Sequence, residues 1–143
     1  MATANLDLVR SIYADWERGD FSSADWAHPE LEFVIADGPA PDRWRGLAGM
    51  AAGYRGVLSA WDEVRVQADD YRGLDDEHML VLDHRTGRGR TSGLEVGQIG
   101  SRAATLFQIL DGRVVKLVLY WDRDRALADL GLAPGAGAAE APG

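Results

Sequence analysis

The chain has 143 residues, 15 Lys and Arg against 23 Asp and Glu, a formal net charge of −8 and no cysteine. That balance argues against nucleic acid and against an anionic membrane surface as partners. The missing cysteine excludes disulfides, thiolate metal sites and cysteine nucleophiles. The length suits one domain with a core that needs no staple, and no apolar run approaches the ~20 residues of a membrane-spanning helix. The leading Met-Ala-Thr-Ala-Asn has no basic segment ahead of an apolar one, so the cytoplasm is the default expectation.

In chain order, Leu6, Val9, Ile12, Tyr13 and Trp16 recur at helical spacing, with Thr3 or Asn5 to cap the start and Gly19 to end the helix. A short second helix is expected from Ser22 or Ser23 to Ala27, ended by His28-Pro29. Glu30 to Asp37 alternates as a strand, with Phe33 and Ile35 on one face and Val34 and Ala36 on the other. The run Gly38-Pro39-Ala40-Pro41-Asp42 reads as a loop. A third helix follows Gly46, with Met50, Tyr54, Val57 and Trp61 spaced to one face.

The remainder reads as β. Val64, Val66 and Ala68 alternate with Arg65, Gln67 and Asp69, Met79 to Leu82 is apolar on both faces, and Ala103 to Leu110 forms a further strand. Asp111-Gly112 is a tight-turn signal. The last strand places Val115, Leu117, Leu119 and Trp121 on one face and Val114, Lys116, Val118 and Tyr120 on the other. Asp122 caps a short helix from Arg123 to Leu130, and Gly131-Leu132 stops it. Residues 133–143 lack large apolar side chains and are expected to be a disordered tail behind a single domain at 1–132. The fold class is α+β, with a curved antiparallel sheet wrapped around three N-terminal helices (α-α-β-α-β-β-β-β) and a short C-terminal helix. Such a sheet leaves a cone-shaped interior suited to a small apolar ligand.

This order of elements, with Arg18-Gly19-Asp20 after the first helix, Trp44-Arg45-Gly46, Gly89-Arg90-Thr91-Ser92-Gly93, Tyr120-Trp121-Asp122 and the closing Gly131-Leu132, resembles the SnoaL-like branch of the nuclear transport factor 2-like superfamily. The match covers roughly residues 5 to 132. The superfamily includes steroid isomerases, limonene-epoxide hydrolase-like enzymes, polyketide cyclases, dehydratases and members with no chemistry. The resemblance implies an inward-facing set: Ile12 or Tyr13, Trp16 and Trp26; Phe33, Ile35 and Asp37; Met50, Tyr54 and Val57; Ala103, Thr105 and Phe107; Leu117, Leu119 and Trp121. The same residues also read as ordinary core.

The resemblance places Asp37 near the general base of ketosteroid isomerase-like members, while its position before Gly-Pro also reads as a turn that accepts backbone N–H bonds. Tyr13 lies one residue past the tyrosine position of those enzymes, which falls on Ile12, and their strand acid falls near Thr105. The carboxylate of the hydrolase-like members falls on Leu119. Asp83, His84 and Arg85 form a polar cluster in which His84 is a candidate base near neutral pH, and the same cluster also reads as a strand end in solvent. Asp122 reads as a cap. No metal-ligand spacing occurs, and no cofactor is expected. Ala104, Leu106, Val118 and Tyr120 form a second apolar face, and the resemblance implies sheet-to-sheet homodimerisation through it.

Three functions fit these residues. One is a cofactor-free acid–base enzyme of isomerase, cyclase or dehydratase type acting on an apolar carbonyl or polyketide-like substrate, with Asp37 or the Asp83–His84 group moving the proton and Tyr13 orienting. The second is a ligand-binding protein without turnover. The third is a dimeric scaffold whose cone is filled by its own Trp16, Trp26, Phe33 and Trp121.

Overall fold

The apolar stripe of the first helix, α1 (Ala2–Glu17), is Val9, Ile12, Tyr13 and Trp16, each no more than 3 % exposed. In this computed structural model residues 2–20, 25–37, 42–58, 61–89 and 95–132 are described. After α1 come β1 (Ala27–Ile35), β2 (Asp42–Arg45), α2 (Gly46–Leu58), β3 (Trp61–Gly73), β4 (His78–Gly89), β5 (Glu95–Leu110), β6 (Arg113–Tyr120) and α3 (Arg123–Asp129). The six strands form one curved, open sheet in the order β2-β1-β6-β5-β4-β3. This is the α+β cone expected from the sequence, with differences in detail.

The sheet is mixed rather than wholly antiparallel. β1 pairs antiparallel with β2 but parallel with β6, with Phe33 opposite Leu117 and Ile35 opposite Leu119. The reason is topological. α2 carries the chain from the β1–β2 hairpin to the far edge, and the β3–β4–β5–β6 meander then returns to β1 running in the same direction. β2, around Trp44, is an edge strand that the sequence did not announce.

The predicted second helix falls partly on residues 21–24, outside the described residues. Asp25 and Trp26 form a turn, and Ala27 to Pro29 already belong to β1. Proline holds its predecessor extended, so His28-Pro29 opens a strand here instead of closing a helix. Trp61, assigned by spacing to a helix face, opens β3. Residues 38–41 of the predicted loop, residues 90–94, which include all of the Gly89–Gly93 run but its first glycine, and the tail at 133–143 lie outside the described residues.

Alternation on β6 holds from Leu117 to Trp121 but breaks earlier. Gln108 pairs with Lys116 while Ile109 pairs with Val114, so Val115 is an extra residue and Val114, not Val115, joins the interior. The turn before β6 is as read: Asp111 and Gly112 both have positive φ, 52° and 77°.

Each sheet face has its own cluster. The inner one joins α1 and Met50 of α2 to Phe33, Ile35, Met79, Val81, Phe107, Leu117 and Leu119. The outer one joins Leu80, Leu82, Ala104, Val118 and Tyr120 to Ala126 and Leu127 of α3. The apolar outer face is thus partly covered by the chain's own last helix.

Candidate functional site

A fully buried carboxylate lies among the inner side chains. β4 alternates, so Met79, Val81, Asp83 and Arg85 point inward while Leu80, Leu82 and His84 point outward. Asp83 is 0 % exposed, and the registers place it opposite Ala103 of β5, one level above the Val81–Thr105 pair. Its Oδ2 accepts two hydroxyl bonds, from Tyr13 at 2.5 Å and from Thr105 at 2.8 Å. Its Oδ1 has only a 3.5 Å contact with Nη2 of Arg85. Among the described residues one oxygen thus takes two hydroxyl donors and the other has room for a further donor.

Arg85 is buried beside it, its side chain 8 % exposed. Nη2 also reaches the Ala104 carbonyl and the Thr105 hydroxyl, each at 3.3 Å, and the guanidinium lies 5.7 Å from the centre of the Trp121 ring. Burial first, then the neighbouring carboxylate, pushes the Tyr13 phenol well above the usual tyrosine range. Tyr13 therefore remains a neutral donor at all ordinary pH values. Helical spacing put Tyr13 on the buried stripe, and nothing in the sequence marked Asp83 as its partner 70 positions away.

The Asp83–His84 pair divides across the sheet. His84 lies on the outer side, between Asp69 (Nδ1 to Oδ1, 2.8 Å) and Gln67 (Nε2 to Oε1, 2.9 Å). Asp37 stands at the end of β1, where its Oδ1 accepts the Trp121 N–H at 2.6 Å and its Oδ2 the Asp122 N–H at 3.2 Å. Its backbone-accepting role thus exists, with donors at the exit of β6; the Gly-Pro turn that follows it lies outside the described residues. Asp37 replaces the next rung of the parallel ladder and holds Trp121 beside Arg85.

Around this cluster, Trp16, Trp26, Phe33, Ile35, Met50, Phe107, Leu117 and Leu119 are all buried in the inner cluster, and Trp121 is half-buried against it. Tyr54 and Val57 belong to α2, outside the residues whose side chains are described. Among the described residues no group of three His, Asp or Glu has metal-holding geometry. None of the described helices is long and apolar enough to cross a membrane.

Sequence reasoning missed Arg123 entirely. From the start of α3 its Nη2 donates to the Asp83 carbonyl at 3.0 Å and to Asp69 Oδ2 at 2.8 Å, and its Nε to the Ala103 carbonyl at 3.2 Å. Those carbonyls sit where both neighbouring ladders are irregular. Asp69 is an extra residue between the Ala68–Asp83 and Asp70–Leu82 pairs, and β5 gains a residue between the Asp83–Ala103 and Arg85–Gly100 pairs. Bulges re-aim side chains and leave backbone groups without ladder partners, and Arg123 satisfies those next to Asp83.

On the outer face, a groove of about 260 Å³ has Val34, Ala36, Leu106, Val118 and Tyr120 on its walls and Arg43, Lys116 and His78 among its polar residues.

No family model matches the sequence, and no curated protein matches it. Solved structures do. A nuclear transport factor 2-like protein of unknown function from Burkholderia pseudomallei superposes with a TM-score of 0.71 at 19 % identity, over 87 % of this chain and 95 % of that one. A provisionally assigned SnoaL-like polyketide cyclase from Jannaschia sp. CCS1 gives 0.65 at 16 % identity, over 92 % and 94 %. A protein with a ketosteroid isomerase-like fold from Catenulispora acidiphila, solved with trimethylamine, gives 0.65 at 13 % identity, over 89 % and 94 %. The chain has the fold of these proteins.

Proposed function

We propose that this protein takes a small, largely apolar carbonyl compound into its cone and moves a proton on it, with Asp83 as the acceptor. The single observation that carries this reading is the state of the Asp83 carboxylate: fully buried, Oδ2 bonded by Tyr13 and Thr105, and Oδ1 with only a long Arg85 contact among the described residues. Two hydroxyls fix the orientation of the carboxylate, so little reorganisation is needed when Oδ1 takes a proton. Tyr13 keeps its own proton and acts as an orienting donor. In the step, Oδ1 removes a proton from the carbon beside the carbonyl, the C–H electron pair forms the C=C bond of the enolate, and the C=O π pair moves onto the oxygen. Where the enolate is conjugated with a further C=C bond, return of the Asp83 proton to its far carbon gives isomerisation; attack of the enolate carbon on a second carbonyl, whose oxygen takes that proton, gives cyclisation. The reading calls on side chains alone and needs no cofactor. The name carried by the Jannaschia relative supports a polyketide-like substrate. The engagement of Asp37 by two backbone N–H groups favours Asp83 over Asp37 as the base.

The test is exchange of carbonyl-adjacent protons in heavy water, followed by NMR across a panel of small ketones and β-dicarbonyl compounds. The wild type should accelerate exchange for at least one compound, and Asp83→Asn, folded by circular dichroism, should not. Binding without acceleration would leave a ligand-binding protein. Absence of both would leave the filled scaffold. That last reading draws support from the edge-to-face contact of Trp16 with Trp26 (6.3 Å) and the stacking of Trp16 on Phe107 (6.2 Å), which occupy part of the interior.

We also propose that two copies pair through the outer sheet face, where Leu106 is half-buried and lines the groove with Val34, Ala36, Val118 and Tyr120. A monomer by light scattering at micromolar concentration would end that proposal.

A further inference from the structure

We infer that Arg85 is the receptor for the oxyanion formed in this site, and that it selects a planar ligand carrying two coplanar oxygens, the enolate of a β-dicarbonyl compound. The inference rests on the reading of Asp83 as the proton acceptor, but it arises from a different residue and a different observation.

A guanidinium has five N–H donors. All three hydrogen bonds of Arg85 run through Nη2, at 3.3 to 3.5 Å, and among the described residues Nη1 and Nε make none. A side chain only 8 % exposed thus holds three N–H groups without an acceptor among the described residues and uses its remaining nitrogen weakly. Burying such donors unpaired is costly, so the site favours a ligand that supplies acceptors. The Nη1–Nη2 end of a guanidinium matches two coplanar oxygens, as it does in bidentate carboxylate pairs. The Trp121 ring, 5.7 Å from the guanidinium carbon, adds a flat wall that suits a planar ligand.

Two ligand chemistries share this pattern, a carboxylate and a β-dicarbonyl enolate, and charge separates them. Asp83 and Arg85 are adjacent and together neutral. A carboxylate would bring a permanent second negative charge beside Asp83 in a buried site. An enolate made there does not, because the proton it loses neutralises Asp83. The negative charge moves from Oδ1 to the ligand oxygens and Arg85 faces it throughout, so the total charge of the site is constant. A β-dicarbonyl compound also has the acidic C–H that a weak carboxylate base requires.

The test uses the full-length protein and benzoylacetone, whose enolate absorbs at longer wavelength than its neutral form and beyond the tryptophan band. Difference spectra near neutral pH should show the enolate bound to the wild type. Arg85→Lys keeps the charge and loses the fork, and it should bind the enolate about 10- to 100-fold more weakly while remaining folded; Arg85→Gln should lose the band. Benzoate should compete poorly against the wild type and better against Asp83→Asn, where the neighbouring negative charge is gone. Asp83→Asn should still take up enolate supplied at alkaline pH although its proton exchange is lost, so failure of the base and failure of the receptor give different results. An unchanged enolate band in a folded Arg85→Lys would overturn the inference. So would benzoate binding the wild type as tightly as it binds Asp83→Asn, or the absence of any enolate band with the wild type.

Discussion

The Tyr13 hydroxyl donates to Asp83 Oδ2 across 2.5 Å, tying the buried face of α1 to the centre of β4. Both residues are 0 % exposed, so no water competes for the bond. Tyr13→Phe removes one donor and leaves a buried carboxylate with the Thr105 hydroxyl and a long Arg85 contact. Bonds to charged groups contribute about 1.5–3 kcal/mol, and a loss in that range should appear as a lower urea midpoint with an unchanged slope. No change in midpoint would mean that the bond adds nothing net to stability.

The same pair sets an alkaline limit. The Tyr13 pKa is raised on folding, so above the ordinary tyrosine value the unfolded chain releases a proton that the native chain keeps. The unfolded state then binds fewer protons, and stability falls as pH rises. The contribution is fully present below about pH 10 and is lost upward through the folded value. Tyr71 and Tyr120 shift in the same direction from partial burial and add smaller slopes. Denaturation midpoints measured from pH 8 to 11 should decline for the wild type and decline less for Tyr13→Phe.

Gly53 lies within α2, where alanine would raise helix propensity by about 1 kcal/mol. A Cβ there would stand 2.7 Å from Cε2 of Phe33 and 2.9 Å from Cε3 of Trp44, whose rings are in contact at 5.5 Å. Overpacking of that kind costs about 1–3 kcal/mol, so Gly53→Ala should be net destabilising. A thermal melt of Gly53→Ala alone and combined with Phe33→Leu should show strong coupling, because the smaller side chain relieves the clash. A stabilised Gly53→Ala would mean that the rings move aside freely.

Asp122 is the N-cap of α3, with extended backbone and its side chain accepting the Asp124 N–H at 3.0 Å. Asp122→Ala should cost about 1 kcal/mol and leave ligand affinity intact. A loss of affinity at unchanged stability would give Asp122 a role in the site.

Arg123 joins β3, β4 and β5 where bulges interrupt the ladders around Asp83. Arg123→Ala should lower stability by about 1.5–3 kcal/mol and speed amide exchange at the β4–β5 rungs near Ala103, with Arg123→Lys recovering little because one ammonium cannot reach three acceptors. Amide exchange at those rungs as slow as in the wild type would show that the bulged ladders hold without the clamp.

Periodicity and turn chemistry are local, and they carried most of the architecture. The stripe of α1, the Asp111-Gly112 turn, the inward run Leu117, Leu119 and Trp121 and the Asp122 cap each depend on neighbours within a few residues, so the sequence alone determines them. It also determined that Asp83, His84 and Arg85 cannot all face one way. The parallel β1–β6 pairing, the bulges at Asp69 and Val115, and the meeting of Tyr13, Asp83, Thr105 and Arg85 were decided only by the tertiary structure. Those features depend on which strands become neighbours and in what register, and such non-local pairing leaves no period in the chain. That is why the sequence could supply Tyr13 and Asp83 as separate candidates, and only the folded sheet could join them and turn His84 away.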